Sequence, residues 1–117
     1  MAEIVMYIIV NKDLKSMSPG KMAAQVAHSA VKASHLGETR EPEWWKEWYK
    51  GSYPKIVLKA SEFEMREIIK SYTECSAFTI DEGRTEIPRG SLTTLAFIPM
   101  PRDEMDVLGC VKNLKLL

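Results

Sequence analysis

Few cysteines, no net charge and no long apolar run mark this sequence, and each shortage removes a class of function. Cys75 and Cys110 lie far apart and show no metal-ligand spacing. No apolar leader is evident, so the expectation is two reduced thiols in a cytoplasmic protein and no disulfide framework. The longest apolar run, Ile4 to Val10, falls far short of the ~20 residues that cross a bilayer, and no membrane partner is expected. The 16 Lys and Arg residues are balanced by 16 Asp and Glu residues, so the gross cationic excess that usually holds a phosphate backbone is missing. There is no internal repeat, low-complexity tract or linker. The 117 residues therefore read as a single domain over 1–117, long enough to bury a core without staples.

What is present is unevenly distributed. Residues 1–32 and 51–60 hold Lys12, Lys15, Lys21, Lys32, Lys55 and Lys59 against only Glu3 and Asp13. One part of the molecule is basic if those segments meet in space. Ile4 to Val10, "IVMYIIV", is a continuous β-rich run of the kind buried on both faces of a sheet. After the loop "NKDLKSM", Ser18 and Pro19 supply an N-cap and a first-turn proline for a helix expected to reach about Leu36 and stop at Gly37. Pro42 opens a short helix in which Trp44/Trp48 and Trp45/Tyr49 pair at i,i+4. "KIVLKA" is a second strand, and "SEFEMREIIKSYTE" is an amphipathic helix with Phe63, Ile68 and Ile69 towards the core. "SAFTID" and "LTTLAFI" are two further strands around the loop "EGRTEIPRGS", and a short helix precedes "NLKLL". This order predicts an α/β fold, a three-layer α/β/α sandwich on a mixed four-stranded sheet. Sites in such sheets gather beyond the carboxyl ends of strands, where the loops carrying Lys12, Lys15 and Lys21 and those carrying Asp81, Arg84 and Thr85 could share one rim.

The stretch "MSPGKMAAQVAHSAVK" puts a Gly-Lys pair in the first turn of a helix. It is not a nucleotide-binding P-loop, because Lys15 and Met22 stand where that motif needs a glycine and a Ser or Thr. Lys21, Gln25, His28, Lys32 and His35 follow at spacings of four, three, four and three, which makes one polar stripe. Taken alone, such a stripe is ordinarily a solvated helix face. A single histidine is weak ground for metal or acid–base chemistry. The stripes opposite, Ala23, Ala27, Ala30 and Met22, Val26, Ala33, are read as packing against the sheet. The tryptophans are read as packing too.

Together, "GKMAAQVAHSA" and "DEGRTEIPRGSLTTLAFIP" resemble the paired signature of the archaeal-type (class II) peptidyl-tRNA hydrolases, with "PKIVLKA" and the terminal "LKLL" extending the likeness over nearly the whole chain. The resemblance implies a single α/β domain, often a homodimer, that hydrolyses the ester joining a peptide to the terminal ribose of tRNA without metal or cofactor. It implies functional positions at Lys21, Lys55, Asp81, Thr85 and Thr93, with Gln25, His28 and Arg84 lying within its two motifs. A further lysine falls in the loop before the helix, at Lys15 or, given one extra residue before Gly20, at Lys12. Ser29 stands where alanine is usual and Glu86 where glutamine is usual.

Elementary chemistry points to the same residues. Ester hydrolysis needs an activated water and a group that stabilises the developing oxyanion. Asp81 ends an inner strand and can orient or deprotonate the water. Lys21, at a helix N-terminus that already favours anions, suits either the oxyanion or a terminal phosphate. Thr85 and Thr93 are candidate hydrogen-bond donors. No Ser-His-Asp constellation is evident, since adjacent helix residues such as His28 and Ser29 point in different directions. A catalytically silent RNA- or protein-binding member of the same fold is the alternative.

Overall fold

The computed structural model describes residues 3–82 and 90–117, apart from the side chains of residues 106–108. Strand β1 (Ile4–Asn11) is buried along its entire length, as an uninterrupted apolar run demands. It pairs in parallel with β2 (Lys55–Ala60) on one side and antiparallel with β4 (Leu92–Phe97) on the other. β3 (Ser76–Ile80) pairs antiparallel with β4. Strands β1, β2 and β3 therefore point the same way and end on one rim.

The expected mixed sheet and its three layers are present. β1 sends Ile4, Met6 and Ile8 to one face, where they meet Ala33 of helix α1 (Pro19–Arg40) and Trp48 of α2 (Pro42–Lys50). Val5, Tyr7 and Ile9 go to the other face, against Met65 and Ile68 of α3 (Glu62–Ser71) and Met105 of α4 (Arg102–Leu108). Each such aliphatic side chain contributes about 1.5–3 kcal/mol when fully buried. The sheet has six strands among the described residues, where four were expected. The two additions, β5 (Met100–Pro101) and β6 (Lys115–Leu116), are two-residue pieces, too short to carry a periodicity of their own.

Helix α1 begins as expected and corrects two local expectations. Ser18 caps it, its side chain accepting from the Lys21 amide. It does not stop at Gly37 but runs on to Arg40. Gly37 is buried inside it, because a Cβ there would lie 2.9 Å from Cδ of Pro99. Nor does the stripe Ala23, Ala27, Ala30 face the sheet as a whole: Ala23 and Ala27 are exposed, whereas Met22, Val26, Ala30 and Ala33 pack inward as expected, and the fully buried residues are Gln25, Ser29, Ala33 and Gly37. These recur every four residues and shrink steadily along the helix. The helix therefore lies tightest on the sheet at Gly37 and leaves room near Gln25.

Phe63 is a third correction, being 75% exposed. Ser61 and Glu64 form a reciprocal capping box at the start of α3, and the face that meets the sheet is the one carrying Met65 and Ile68. The lysine-rich segments meet only in part. Lys12 and Lys59 line one small cavity at the rim, whereas Lys55 begins β2 at the opposite end of the strands.

Candidate active site

Just past β3, the Asp81 amide donates to the Ser91 carbonyl (2.8 Å), and the Asp81 carbonyl accepts from the Gly90 amide (2.8 Å). Its backbone is thus tied to the start of β4. Its side chain is 3% exposed and turns towards α1, as that of Thr79 does two residues earlier in the strand alternation. Lys21 Nζ forms an ion pair with Asp81 Oδ1, and Gln25 Nε2 donates to the same oxygen at 3.1 Å. Lys21 and Gln25 are one turn apart, so a single helix start delivers both donors to one carboxylate. The first turn of α1 carries no acidic residue, and its partial positive charge adds to the same effect.

One turn further on, three buried hydroxyls join. Ser29 Oγ lies 2.8 Å from Thr79 Oγ1 and 2.7 Å from Thr94 Oγ1, and Thr94 Oγ1 donates to the Gln25 carbonyl at 2.8 Å. Each hydroxyl has one hydrogen. With the Thr94 proton committed to Gln25, Ser29 donates to Thr94 and Thr79 donates to Ser29. This one-way chain locks the second turn of α1 onto β3 and β4, beneath the residue that holds Asp81.

An open cavity of about 620 Å3 borders this cluster, with His28, Val31, Lys32 and Glu82 among its walls. Gln25 and Asp81 are its most buried polar groups beside Thr79. The structure so brings together Lys21, Gln25, His28 and Asp81 of the sequence-predicted set. Lys15 is exposed in the loop between β1 and α1 and does not line the cavity. That loop is anchored by Asn11, which donates to the Leu92 carbonyl (2.8 Å) and accepts from the Asp13 amide (2.9 Å). Thr93 is fully buried, its hydroxyl donating to the Thr79 carbonyl at 3.1 Å. Lys55 is not part of the cluster. It aligns with Met6 of β1, five residues or about 17 Å from the rim end of that strand, and its Nζ donates to the Tyr53 carbonyl at 2.8 Å. Arg84 and Thr85 lie outside the described residues.

Sequence reasoning missed Ser29, Thr79 and Thr94 as partners. The available signal was the graded Gln25, Ser29, Ala33, Gly37 series, visible only when the helix is phased on its smallest residues. Among the described residues, no three His, Cys, Asp or Glu side chains converge to hold a metal ion. No helix of the described residues is long and apolar enough to cross a membrane.

Comparison with known proteins bears on the chain as a whole. A family model described as "Peptidyl-tRNA hydrolase PTH2" matches residues 4–117. A peptidyl-tRNA hydrolase of Thermococcus onnurineus (strain NA1) is 40% identical over 110 residues, covering 90% of this chain and 92% of its own length. One from Thermococcus sibiricus (strain DSM 12597 / MM 739) is 38% identical over 114 residues, 94% of each. The Homo sapiens protein named "Peptidyl-tRNA hydrolase 2, mitochondrial" is 38% identical over 115 residues, covering 94% of this chain and 64% of its own length.

Proposed function

The chain belongs to the peptidyl-tRNA hydrolase PTH2 family and is an ester hydrolase of that kind, and we propose that the Lys21–Gln25–Asp81 cluster is where it cuts. The substrate is peptidyl-tRNA, and the bond is the ester between the peptide and the 3′-terminal ribose. The observation that carries this reading is a buried carboxylate held by two donors from one helix start, on the wall of a cavity with room for a nucleotide-sized group.

Asp81 takes a proton from the attacking water as the water oxygen bonds to the ester carbonyl carbon. Lys21, an ammonium with three N–H donors, keeps one on Asp81 and offers another to the oxyanion. Gln25 stops the carboxylate from turning away. When the tetrahedral intermediate collapses, the Asp81 proton passes to the departing ribose oxygen, leaving a peptide acid and free tRNA. Thr85 and Arg84 are proposed as supporting polar groups around the ester, His28 as a contact to the nucleotide, and Lys15 and Lys55 as phosphate contacts further along the tRNA; Thr93, fully buried with its hydroxyl on the Thr79 carbonyl, is proposed to act from behind the site by holding the end of β3 in place.

The test is release of the blocked amino acid from an N-blocked aminoacyl-tRNA by purified protein at low salt with EDTA present. Turnover is expected, and Asp81→Asn should lower it by on the order of a hundredfold or more. Near-normal turnover by that variant would remove Asp81 from the chemistry. tRNA binding without turnover by the unaltered protein would instead favour the silent RNA-binding alternative. A cytoplasmic location and a homodimer are further parts of the proposal. Cell fractionation tests the first, and sedimentation equilibrium measures the second.

A further inference from the structure

Away from the cavity, the aromatic residues of α2 and the turn after it do more than pack. Trp45 and Tyr49 stack with ring centroids 4.9 Å apart and planes 10° from parallel, and Tyr49 stacks in turn on Tyr53 at 5.8 Å and 26°. The inner end of this ladder is pinned, since Trp45 Nε1 donates to Ser34 Oγ of α1 at 2.9 Å. The neighbouring Trp48 Nε1 donates to the Pro54 carbonyl, also at 2.9 Å. The outer end is open: Tyr49 is 56% exposed and Tyr53 48% exposed. Aromatic rings that serve only the core are buried.

Two further features belong to the same rings. Tyr53 has φ +34°, a left-handed conformation that costs any residue bearing a Cβ and that persists here with the ring held in the row. Lys55 Nζ sits 4.6 Å from the Tyr53 ring centroid and 5.6 Å from that of Trp48. Lys46 and Lys50 are exposed on the same short helix, Lys46 lying 3.9 Å from Glu43. Rigid stacked aromatics with exposed outer rings and lysines at their edge have the chemistry of a single-stranded nucleic-acid platform, on which bases stack without sequence preference.

We propose that the Trp45–Tyr49–Tyr53 ladder, with Lys55, is a second RNA contact that receives an unpaired base of the tRNA acceptor end while the ester lies at Asp81. The proposal rests on the hydrolase reading above and extends it to the body of the substrate. From Lys55 to the rim is about 17 Å along the strands, and from β2 to β3 is about 14 Å across the sheet. The ladder and Asp81 thus stand roughly 22 Å apart on the diagonal. That separation exceeds one nucleotide and suits the single-stranded tail that leads from the ester to the acceptor helix. The same distance accounts for a lysine of "PKIVLKA" that contacts tRNA without touching the reacting bond.

The experiment compares two substrates, an N-blocked aminoacyl-tRNA and the same aminoacyl ester on adenosine alone. Tyr49→Ser/Tyr53→Asn removes the outer rings, and asparagine tolerates the backbone of residue 53. It should raise KM for the tRNA about tenfold, in line with loss of one stacked base, and weaken filter binding of the tRNA equally. Neither kcat nor turnover of the adenosine ester should change. Tyr49→Phe/Tyr53→Phe keeps the rings and should restore the tRNA KM. Equal losses on both substrates would mean a damaged site and overturn the proposal, as would an unchanged tRNA KM. A changed oligomeric state with unchanged tRNA binding would assign the ladder to protein contact and overturn it too. Filter binding reads the ladder even if neither ester is cut, so failure of the hydrolase reading is distinguishable from failure of this one.

Discussion

Replacing Lys21 by methionine keeps the bulk of the side chain and deletes its charge, leaving a buried carboxylate without its cation. Asp81 is 3% and Lys21 15% exposed at the side chain. Removing one partner of a fully buried ion pair costs about 3–5 kcal/mol. Here Gln25 keeps its 3.1 Å bond to Asp81 and the adjoining cavity is open, so the expected loss is smaller, about 2 kcal/mol. With an unfolding entropy of about 2.1 cal/mol/K per residue, the 117 residues give roughly 0.25 kcal/mol/K, and Tm should fall by about 8 °C. Asp81→Asn should cost less than about 1 kcal/mol, because the stranded cation is the more exposed partner and can turn to water. Lys21→Met/Asp81→Asn, which removes both charges, should recover most of the loss.

The cycle is read by urea unfolding at constant m value and by turnover on the same preparations. All three variants should lose on the order of a hundredfold or more in turnover, while only Lys21→Met loses substantial stability. A double variant that is stable yet inactive separates the chemical role of the pair from its structural one. Two outcomes would refute the reasoning: Lys21→Met melting with the unaltered protein, or losses that simply add in the double variant. Either would mean that the pair is solvated and that Asp81 needs no cation.

Other perturbations probe the frame around the site. Gly37→Ala drives a Cβ to within 2.9 Å of Pro99; the overpacking cost of about 1–3 kcal/mol should outweigh a helix-propensity gain of about 1 kcal/mol, seen as a lower urea midpoint. Glu64 is held below its ordinary carboxylate value first by the Ser61 backbone and then by the Ser61 hydroxyl. Its contribution is therefore present above the unfolded value of about 4.5 and fades as pH falls through the lower folded one. Ser61→Ala should cost about 1 kcal/mol at neutral pH, and its stability gap to the unaltered protein should narrow below about pH 4. Burial pushes the Cys110 thiol up to about 11, so only about one thiol in a thousand is ionised at pH 8 and native alkylation by iodoacetamide should be slow, becoming fast in urea; rapid native labelling by mass spectrometry contradicts this. Lys55→Ala should raise the tRNA KM and flatten its salt dependence with kcat intact, whereas a pure kcat loss contradicts its distance from Asp81.

Signals confined to one turn or one strand were legible in the sequence. Ser18-Pro19 opened α1, and the uniform run of β1 declared a central strand, so element order and the layered fold followed. The two-motif likeness placed Lys21 and Asp81 among the functional positions before any contact was known. Illegible were the features decided by what lies across the gap. Gly37 has the chemistry of a helix terminator, but the closeness of Pro99 and Ile98 puts it to use inside the helix. Phe63 is the largest apolar residue of α3, yet the face that meets the sheet is the one carrying Met65 and Ile68, which leaves it outside. Neither Pro99 nor the sheet across from α3 is visible in a hydrophobic count.

The misphasing of α1 has the most instructive cause. Hydrophobicity ranks alanine above glutamine and serine for burial, and on that ranking the sheet-facing stripe runs through Ala23 and Ala27. The helix instead buries Gln25 and Ser29, at a desolvation cost offset by new partners: Asp81 for the Gln25 amide nitrogen, and Thr79 and Thr94 for the Ser29 hydroxyl. Those partners sit on β3, on β4 and just past the end of β3, more than 45 residues away in sequence. A stripe that tapers from glutamine to glycine puts the closest approach at Gly37 and the longest side chain at the helix start, where Gln25 and Lys21 both reach Asp81. The local rule is broken at the end of the helix where the proposed chemistry needs a charge, a donor and a cavity together, and such violations are expected where a fold carries a functional site.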